Sequence, residues 1–405
     1  MNKIIVQKYG GSSVADVEKI KKIAAMVAAV RKEGFGVAVV VSAMGKTTNT
    51  LIELAHSVSS DPAKREMDML LSAGERITMS LLCMALNDLD IEAISLTGSQ
   101  SGIITNDRHT DARVIEVRPI RVQDEMAKGK VVVIGGFQGV SYKRDVTTLG
   151  RGGSDTSAVA LAAALNAERC EIYSDVDGVY TTDPALIEEA KHLPEISYQQ
   201  MQEMSTAGAK VINAQAVQFA KEAGIIIYAR STFNPGKETL IKTISSGETK
   251  GVTGIVHEND VVRIILSYNK EDKEFYELLK LLEAKQVGIK ELNVTETEKE
   301  NIKSKASFVV SFKNIYGWES FKSNLEKRFK DKIEFDYDLS ALSIIGEGLN
   351  RDNEILLESL KLFDIENIGI AGISTTSYRL SFLLPKNKLE NGIILLHKKW
   401  IEDKI

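Results

Sequence analysis

The sequence predicts an α/β protein in which a mostly parallel sheet lies between two helix layers, followed by two smaller βαββαβ units. In the first part of the chain, short apolar runs typical of buried strands alternate with longer stretches of helical spacing. In the last part, an order of strand, helix, strand, strand, helix and strand begins and then recurs. The composition also changes near residue 254, because most of the 29 glycines precede it.

The alternating region accounts for the parallel sheet. Residues 36–42 are almost entirely apolar, as expected of a strand whose two faces are both covered by helices. Residues 14–33 have apolar side chains at helical spacing, and Gly34 follows their end. The predicted strands are 3–8, 36–42, 91–96, 131–134, 170–174 and 225–229, and the predicted helices are 14–33, 64–88, 156–166 and 209–223.

The repeated order in the last part predicts two compact units that resemble each other. The first has strand 261–268, helix 273–286, strands 289–296 and 305–312, helix 317–329 and strand 333–339. The second has strand 342–346, helix 352–363, strands 366–373 and 377–384 and helix 387–400. We therefore expect three domains, at 1–245, 246–340 and 341–405. Whether the two smaller units are intertwined stays open.

Charge, cysteine content and hydropathy exclude several classes of protein. The net charge is −5 with acids and bases mixed, so no basic stripe indicates a nucleic-acid partner. Cys83 and Cys170 have no Cys or His neighbour at metal-ligand spacing, which favours buried thiols in a reducing compartment. No apolar run approaches the roughly 20 residues of a membrane span, and residues 1–8 are typical of a strand rather than a signal peptide. We expect a cytoplasmic protein without a membrane partner.

The first segment with chemical potential is the turn Lys8–Ser13, which joins the first strand to the first helix. Adjacent glycines at 10 and 11 let the backbone approach a ligand closely and direct N–H groups at phosphate oxygens. Lys8 lies at the carboxyl end of its strand, where open α/β sheets bind ligands. An ordinary strand-to-helix turn with a surface lysine is the alternative.

A second segment, Thr148–Ser157, holds three glycines in four positions before an alanine-rich helix. That many glycines cost stability unless a ligand needs the backbone there. Arg151 offers a planar fork for a carboxylate or phosphate. Asp155 could orient a lysine, or it could be an N-terminal capping acid.

Three further segments are weaker. Ser174–Pro184 places three aspartates after a strand, which fits nucleotide contacts, an indirect metal role or a set of Asx turns. Lys210 is predicted in the first turn of a helix, which the dipole disfavours unless it binds phosphate. Glu75 lies in an apolar helix, where its carboxylate could receive a substrate ammonium or pair with Arg76.

Several familiar motifs are absent. The run Gly45–Thr47 resembles the end of a phosphate-binding P-loop, but that motif needs glycine where Val40 stands. The five histidines have no metal spacing, and no Ser-His-Asp order or zinc-protease motif occurs. Ser42 and Thr47, after the second strand, remain candidates for hydrogen bonds to a substrate.

Taken together, these segments resemble the amino acid kinase superfamily, and within it the aspartate kinases. Six segments occur in the family's order over about residues 1–245: Lys8–Ser13, Val41–Gly45, Ser72–Glu75, Thr148–Asp155, Ser174–Pro184 and Gly208–Val211. The repeated C-terminal units look like the family's pair of ferredoxin-like ACT regulatory domains. The resemblance implies the amino acid kinase fold and phosphorylation of the aspartate side chain by ATP, with Mg²⁺ entering on the nucleotide and no direct protein ligand.

The resemblance also implies roles for individual residues. Lys8 and Lys210 neutralise the transferring phosphoryl group, and Asp155 holds both lysines in place. The nucleotide contacts are Lys8, Gly10, Gly11, Ser12, Ser174, Asp175, Tyr180, Asp183 and Lys210. The aspartate contacts are Ser42, Thr47, Glu75, Arg151, Gly152, Gly153 and Ser154, with Arg151 on a carboxylate and Glu75 on the amino group. A carboxylate nucleophile is ionised at neutral pH, so no general base is needed.

The sequence departs from the family pattern in two places. After Lys210 the usual Leu-His-Pro-like segment is replaced by Ile212-Asn213-Ala214. The C-terminal units lack the usual Pro-Gly turns and Asn-Ile-Asp-like segment, and only Ile373–Ser377 looks familiar. We therefore expect feedback inhibition by lysine or threonine to be weakened or altered.

Two other functions are possible for a chain with these segments. A sister kinase for glutamate, acetylglutamate or carbamate is disfavoured by the Thr148–Asp155 segment and the paired C-terminal units. An inactive amino-acid sensor is disfavoured by the intact set of Lys8, Arg151, Asp155 and Lys210. Because ACT units commonly pair through exposed strand edges, we expect a homodimer or a higher oligomer.

Overall fold

The computed structural model describes residues 3–244, 251–269, 273–285, 287–296, 304–315, 317–351 and 353–403. The chain forms two compact units. The first contains Met1–Tyr180, Lys191–Thr206 and Lys210–Glu248, and the second contains Thr181–Ala190, Ala207–Ala209 and Thr249–Ile405. The chain therefore passes between the units more than once before residue 249.

The described part of the first unit has a large sheet, a smaller four-stranded sheet and a two-stranded sheet. Its strands are β1 (Ile4–Tyr9), β2 (Gly36–Val41), β3 (Ala93–Leu96), β4 (Ile103–Thr105), β5 (Val114–Val117), β6 (Val131–Gly135), β7 (Gln138–Ser141), β8 (Val146–Thr148), β9 (Arg169–Ser174), β10 (Val179–Tyr180), β11 (His192–Leu193), β12 (Glu195–Ser197), β13 (Ile227–Ser231) and β14 (Glu238–Lys242). The large sheet has the order β12-β14-β13-β9-β1-β2-β6-β3, and the smaller one β5-β4-β7-β8.

The large sheet is mostly parallel, as the sequence predicts. Its pairs β1–β2, β1–β9, β2–β6, β3–β6, β9–β13 and β12–β14 are parallel, and β13–β14 is antiparallel. Residues 37–41 of β2 are wholly buried, which explains their uninterrupted apolar sequence. Because β1 lies at the centre, the carboxyl ends of β2 and β9 flank the turn that follows it.

Helices cover both faces of this sheet. They are α1 (Val17–Lys32), α2 (Thr47–Val58), α3 (Lys64–Asn87), α4 (Ile120–Ala127), α5 (Gly153–Ala164), α6 (Tyr198–Ala207) and α7 (Ala214–Ala223). One apolar core joins α1 and α3 to alternate residues of β2, and α5 packs on the neighbouring strands β1, β2 and β9. The observed architecture is the predicted αβα sandwich.

The long helix α3 is central to this unit. Among the described residues it is the one helix whose length and composition would suit a membrane span, but half of that window is buried. Its buried face includes Asp68, Ser72 and Glu75, which lie along one side of the helix at intervals of four and three residues. This polar side of α3 accepts hydrogen bonds from Ala43, after β2, and from Thr148, at the end of β8.

The second unit contains two four-stranded antiparallel sheets. Its strands are β15 (Gly251–Glu258), β16 (Val261–Tyr268), β17 (Lys290–Thr295), β18 (Ser304–Ser311), β19 (Ile333–Asp336), β20 (Leu339–Glu347), β21 (Gly372–Thr375) and β22 (Arg379–Pro385). Its helices are α8 (Glu274–Lys285), α9 (Trp318–Phe329), α10 (Glu354–Ile365) and α11 (Leu389–His397). The sheet orders are β17-β18-β16-β19 and β15-β20-β22-β21.

The two repeats are built differently at one strand. The first repeat supplies all of its own strands, from β16 to β19. The second repeat begins at β20 and takes its remaining edge strand, β15, from the chain before the first repeat. Ile255 of β15 packs into the core of the second repeat with Leu342 and Ile344. The repeats are therefore intertwined along the chain.

The sequence predictions omit several elements of the first unit, including α2, α4, α6 and the strands of the smaller sheet, and they also differ from the structure at element ends. The predicted helix 209–223 is wrong at its start, because α7 begins at Ala214 with Asn213 as its N-cap. Residue Gly208 has φ of 121°, and a Cβ there would lie 2.5 Å from the His257 carbonyl oxygen. Glycine at 208 is thus required by a close backbone approach within the second unit. Both cysteines are buried free thiols, as predicted.

Candidate active site

The centre of the candidate site is an ion pair between Lys8 and Asp155. The Lys8 Nζ lies 2.7 Å from the Asp155 Oδ1, and the two side chains are 12% and 10% exposed. Lys8 is near the carboxyl end of β1, and Asp155 is in the first turn of α5. An ammonium held at a strand end beside a helix start can meet a phosphoryl group with little reorganisation.

The glycine turn after β1 keeps space open beside this ammonium. A Cβ at Gly10 would lie 3.4 Å from the Lys8 Nζ, and one at Gly11 would lie 3.0 Å from the Ala43 carbonyl oxygen. The turn is tied down by hydrogen bonds from the Gly10 amide to the Tyr173 carbonyl and from the Gly45 amide to the Gly11 carbonyl. The backbone is fixed close to Lys8, as a phosphate cradle requires.

The segment Thr148–Asp155 turns sharply before α5. Gly150 and Gly152 have φ of 72° and 68°, and Gly152 is the N-cap of the helix. Arg151 lies between them and is exposed. Ser154 and Asp155 are buried in the first turn of α5. The glycines therefore let one short segment present an exposed guanidinium and, four residues later, a buried carboxylate.

The segment after β2 joins this turn. The Ser42 hydroxyl donates to the Ser154 Oγ at 3.0 Å, so two predicted aspartate contacts meet directly. Thr47 opens α2, and its hydroxyl donates to the Met44 carbonyl at 2.7 Å. Gly74 of α3 packs so closely that a Cβ there would lie 2.7 Å from the Ala43 Cβ. The Ser42–Thr47 segment thus rests on α3 next to Glu75.

Glu75 is a buried carboxylate with one unused oxygen. Its Oε1 accepts a hydrogen bond from the Ala43 amide at 3.1 Å, while its Oε2 is buried without a partner. The residue is 3% exposed, and burial raises the pKa of its carboxyl to about 7. The predicted pairing with Arg76 is not formed. An unpaired buried oxygen of this kind costs stability unless a ligand cation meets it.

The loop after β9 contains four predicted nucleotide contacts. Ser174 ends β9, Asp175 is exposed, and the Tyr180 hydroxyl donates to Asp177 at 2.9 Å. The fourth, Asp183, belongs to the second unit and accepts from the Ala185 amide at 2.9 Å. That bond is an Asx turn, so for Asp183 a structural role stands beside the predicted nucleotide contact.

The structure does not join Lys210 to Asp155. Lys210 is exposed in the connection before α7 and is outside any first helical turn, so the argument from an unfavourable helix dipole is wrong. Asp155 instead uses its Oδ2 to accept from the Asn213 backbone amide at 3.2 Å. Asp155 is therefore paired with one lysine in this structure rather than two.

Sequence reasoning missed a buried carboxylate that supports the site from α3. Asp68 is fully buried and accepts from the Thr148 hydroxyl at 2.5 Å and the Thr110 amide at 3.0 Å, with the His109 Nδ1 at 2.6 Å. Thr110 has φ of 71°, an uncommon value for a β-branched residue. The one available signal was an acidic residue seven positions before Glu75 on the same apolar helix.

Together these groups suit phosphoryl transfer to a small zwitterion. The site offers a fixed ammonium, glycine amides, an exposed guanidinium and a buried carboxylate with a free oxygen. It contains no serine–histidine pair for nucleophilic catalysis among the predicted residues. Charge stabilisation and positioning are the main requirements of phosphoryl transfer, and both are present.

Comparisons with known proteins agree with this geometry. The amino acid kinase family model matches residues 3–230. The aspartokinase of Mycolicibacterium smegmatis is 37% identical over 405 residues, covering 98% of this chain and 95% of that protein. Aspartokinase 2 of Bacillus subtilis strain 168 is 38% identical over 400 residues, covering 97% of each.

Solved structures show the same fold. E. coli aspartokinase III in complex with aspartate and ADP, in its R state, has a TM-score of 0.82 at 23% identity and covers 98% of this chain and 99% of that one. The aspartate kinase from Synechocystis is 34% identical with a TM-score of 0.55, covering 98% of this chain and 69% of that one. The sequence identity over nearly full length shows that the chain belongs to the aspartokinases of the amino acid kinase family.

Proposed function

We propose that the chain transfers the γ-phosphoryl group of ATP to the side-chain carboxylate of L-aspartate, giving 4-phospho-L-aspartate and ADP. This reaction opens the biosynthesis of lysine, threonine, methionine and diaminopimelate. The observation that carries the proposal is the Lys8–Asp155 pair beside the Gly10-Gly11 turn, in a chain of the aspartokinase family. E. coli aspartokinase III, which shares the fold, binds aspartate and ADP.

The chemistry needs no general base. The aspartate side chain has an ordinary pKa near 3.9 and is ionised at neutral pH. Its oxygen forms a bond to the γ-phosphorus while the bond from that phosphorus to the β,γ-bridging oxygen breaks, and ADP leaves with the electron pair. The ammonium of Lys8 neutralises charge on the transferring group, and Asp155 holds that ammonium in place.

Groups on three segments of the chain are proposed to bind aspartate. The buried Oε2 of Glu75 accepts the substrate ammonium, since it has no partner within the described part of the protein. The Arg151 guanidinium binds a substrate carboxylate, with Gly152, Gly153 and Ser154 forming the adjacent wall. Ser42 and Thr47 complete the pocket, and Ser42 already bonds Ser154.

The nucleotide side is supported less directly. Gly10, Gly11 and Ser12 offer backbone groups next to Lys8, and Ser174, Asp175, Tyr180 and Asp183 follow the neighbouring strand β9. Lys210 is exposed and free to reach a phosphate when ATP binds. Within the described residues no group of three or more carboxylate, His or Cys ligands could hold a metal. We propose that magnesium arrives as MgATP and is bound through phosphate oxygens.

The second unit is proposed to regulate the first. Its two βαββαβ repeats are the expected effector-binding units, with lysine or threonine as the effector and inhibition weakened or altered by the sequence departures. E. coli aspartokinase III has been solved with lysine and aspartate in its T state. We also propose that the protein forms a homodimer or a higher oligomer and that it is cytoplasmic.

The test is aspartate- and ATP-dependent formation of the hydroxamate of the acyl phosphate, with ADP release measured in parallel. Wild-type enzyme is expected to turn over L-aspartate and to show little inhibition by lysine or threonine. Replacing Lys8→Ala should lower kcat by roughly 100- to 1000-fold, because one preorganised charge contact is lost. Lys3→Ala, which removes an ion pair between Lys3, the residue before β1, and Glu168, the residue before β9, is the control and should leave kcat unchanged.

Other outcomes would point elsewhere. Turnover of glutamate, acetylglutamate or carbamate in place of aspartate would favour a sister kinase. Equal residual turnover in wild type and Lys8→Ala would favour an inactive sensor. Inhibition by lysine at low-millimolar or lower concentration would contradict weakened feedback.

A further inference from the structure

Asn213 stands where the sequence departs from its family, and its contacts converge on the aspartate side of the site. Its side-chain Nδ2 donates to the Arg151 carbonyl oxygen at 2.9 Å. Its backbone amide donates to the Asp155 Oδ2 at 3.2 Å. Its side-chain Oδ1 accepts from the Gln215 amide at 2.8 Å and caps α7. One residue thus links the start of α7 to both charged members of the Arg151–Asp155 turn.

The turn is shaped to receive this side chain. Gly152 has φ of 68°, and a Cβ on it would lie 2.6 Å from both the Cβ and the Nδ2 of Asn213. No other residue type at 152 would leave room for the asparagine to reach the Arg151 carbonyl. The amide orientation is also determined, because only the NH₂ group can donate to that carbonyl while the oxygen accepts from Gln215.

We infer that Asn213 is a positioning residue, which fixes the Arg151 backbone so that its guanidinium meets the substrate carboxylate. This inference rests on the proposed binding of aspartate by Arg151. Arg151 lies between two glycines in left-handed conformation, so its backbone has few local restraints. The Asn213 bond anchors the turn at Arg151 itself, and the bond to Asp155 anchors it four residues later.

The role predicts a separation between KM and kcat. The backbone amide that bonds Asp155 survives any side-chain change at 213 except proline, so the Lys8–Asp155 pair stays supported. The side-chain bond to Arg151 is lost on substitution. Changes at 213 should therefore raise KM for aspartate while kcat and KM for ATP stay within about threefold.

Two variants separate positioning from helix capping. Asn213→Asp keeps an excellent N-cap but cannot donate to the Arg151 carbonyl, and it sets a carboxylate against that oxygen. Asn213→Ala loses the donor and the cap. We expect both to raise KM for aspartate by roughly 5- to 20-fold, with a lower melting temperature in Asn213→Ala alone. Asn87→Asp is the matched control, since its Oδ1 accepts from the Ala93 amide about 18 Å along α3 from Glu75.

The decisive measurement is the coupling of Asn213 to Arg151. In an Arg151→Ala background, adding Asn213→Asp should cause no further rise in KM for aspartate. An unchanged KM in Asn213→Asp, with turnover intact, would show that Asn213 only caps α7 and would overturn the inference while the proposed function stands. Equal KM effects of Asn213→Asp with and without Arg151 would overturn it as well. If the wild-type enzyme showed no aspartate-dependent turnover, both the proposed function and this inference would be contradicted.

Discussion

At the scale of single residues, Glu75, the proposed partner of the substrate ammonium, shows how a buried carboxylate lowers stability. Its carboxyl group is buried, has one orphaned oxygen, and has a pKa raised to about 7 because burial disfavours the charged form. A folded-state pKa above the ordinary value means that the folded protein holds this proton more tightly than the unfolded chain does. Stability from this group is therefore lost as pH rises from about 4.5 through 7.

Replacing Glu75→Gln should then stabilise the protein at alkaline pH and weaken substrate binding. At pH 8 the gain in unfolding free energy is expected to approach about 2–3 kcal/mol, and it should vanish near pH 4.5. KM for aspartate should rise in the variant, because the substrate ammonium loses its anionic partner. In wild type, KM for aspartate should fall between pH 6 and 8 as Glu75 ionises.

Chemical denaturation at pH 5 and 8, with KM measured over the same range, checks both effects. Glu53→Gln is the control, because Glu53 is an exposed glutamate of α2. A pH-independent stability difference, or an unchanged KM in Glu75→Gln, would contradict the assignment of Glu75 to the substrate ammonium.

The sequence indicates the candidate site residues but only some of their pairings. Lys8 pairs with Asp155, one of the two lysines expected beside that carboxylate, whereas the Ser42–Ser154 hydrogen bond was not predicted. The link from Asp155 to Lys210 is not formed, because α7 begins at Ala214 and the Asn213 amide takes the second carboxylate oxygen. A motif identifies residue types in order, but which donor meets which acceptor depends on where helices end.

At the scale of elements, α3 supports the Arg151 turn through Asp68. This buried carboxylate accepts from the Thr148 hydroxyl and the Thr110 amide, with His109 as a third partner. Thr148 is the last residue of β8 and the first residue of the Thr148–Asp155 segment. Its hydrogen bond to Asp68 therefore restrains the start of that segment. The sequence could not reveal this, because the three partners of Asp68 come from one loop and one strand that are both distant from it in the chain.

Replacing Asp68→Asn should destabilise the fold by about 2 kcal/mol, since an amide has one acceptor oxygen and brings two donors into a site of donors. KM for aspartate should also rise, because the Arg151 turn loses its anchor at Thr148. Urea denaturation with steady-state kinetics is the measurement. Asp88→Asn, at the exposed C-cap of α3, should change stability by less than about 0.5 kcal/mol. Equal stability of Asp68→Asn and wild type would show that the cluster does not hold the loop.

Helix starts and edge strands mark the limit of local prediction. The predicted helix 209–223 begins too early, because α7 starts at Ala214, and Asn213, a favoured N-cap residue, caps it. The core strands β2 and β6 are predicted correctly because each is an uninterrupted apolar run covered on both faces. Strand β15 is absent from the predicted elements, and the strand it pairs with, β20, lies about ninety residues later in the chain.

At the scale of the whole molecule, β15 precedes the first C-terminal repeat in the chain but belongs to the sheet of the second. A boundary at residue 340 therefore does not separate the two repeats. β15 pairs with β20 from Gly251 opposite Glu347 to Glu258 opposite Ala341. Ile255 lies in the core of the second repeat, together with Ile187 from an earlier segment of the same unit. Two repeats with similar local order thus depend on different stretches of the chain.

A fragment of residues 339–405 should therefore fail to fold alone, whereas 249–405, which keeps every buried residue of that core cluster except Ile187, should fold cooperatively. The shorter fragment leaves one edge of β20 unpaired and removes Ile255 from a core that is already small. To separate this cause from size alone, a fusion of 251–258 to 339–405 through a flexible linker restores the missing strand and should regain a cooperative melt. Far-UV circular dichroism on heating is the measurement. A cooperative transition in 339–405 matching that of the fusion would show that β15 adds nothing essential, and the second repeat would then be an independent domain.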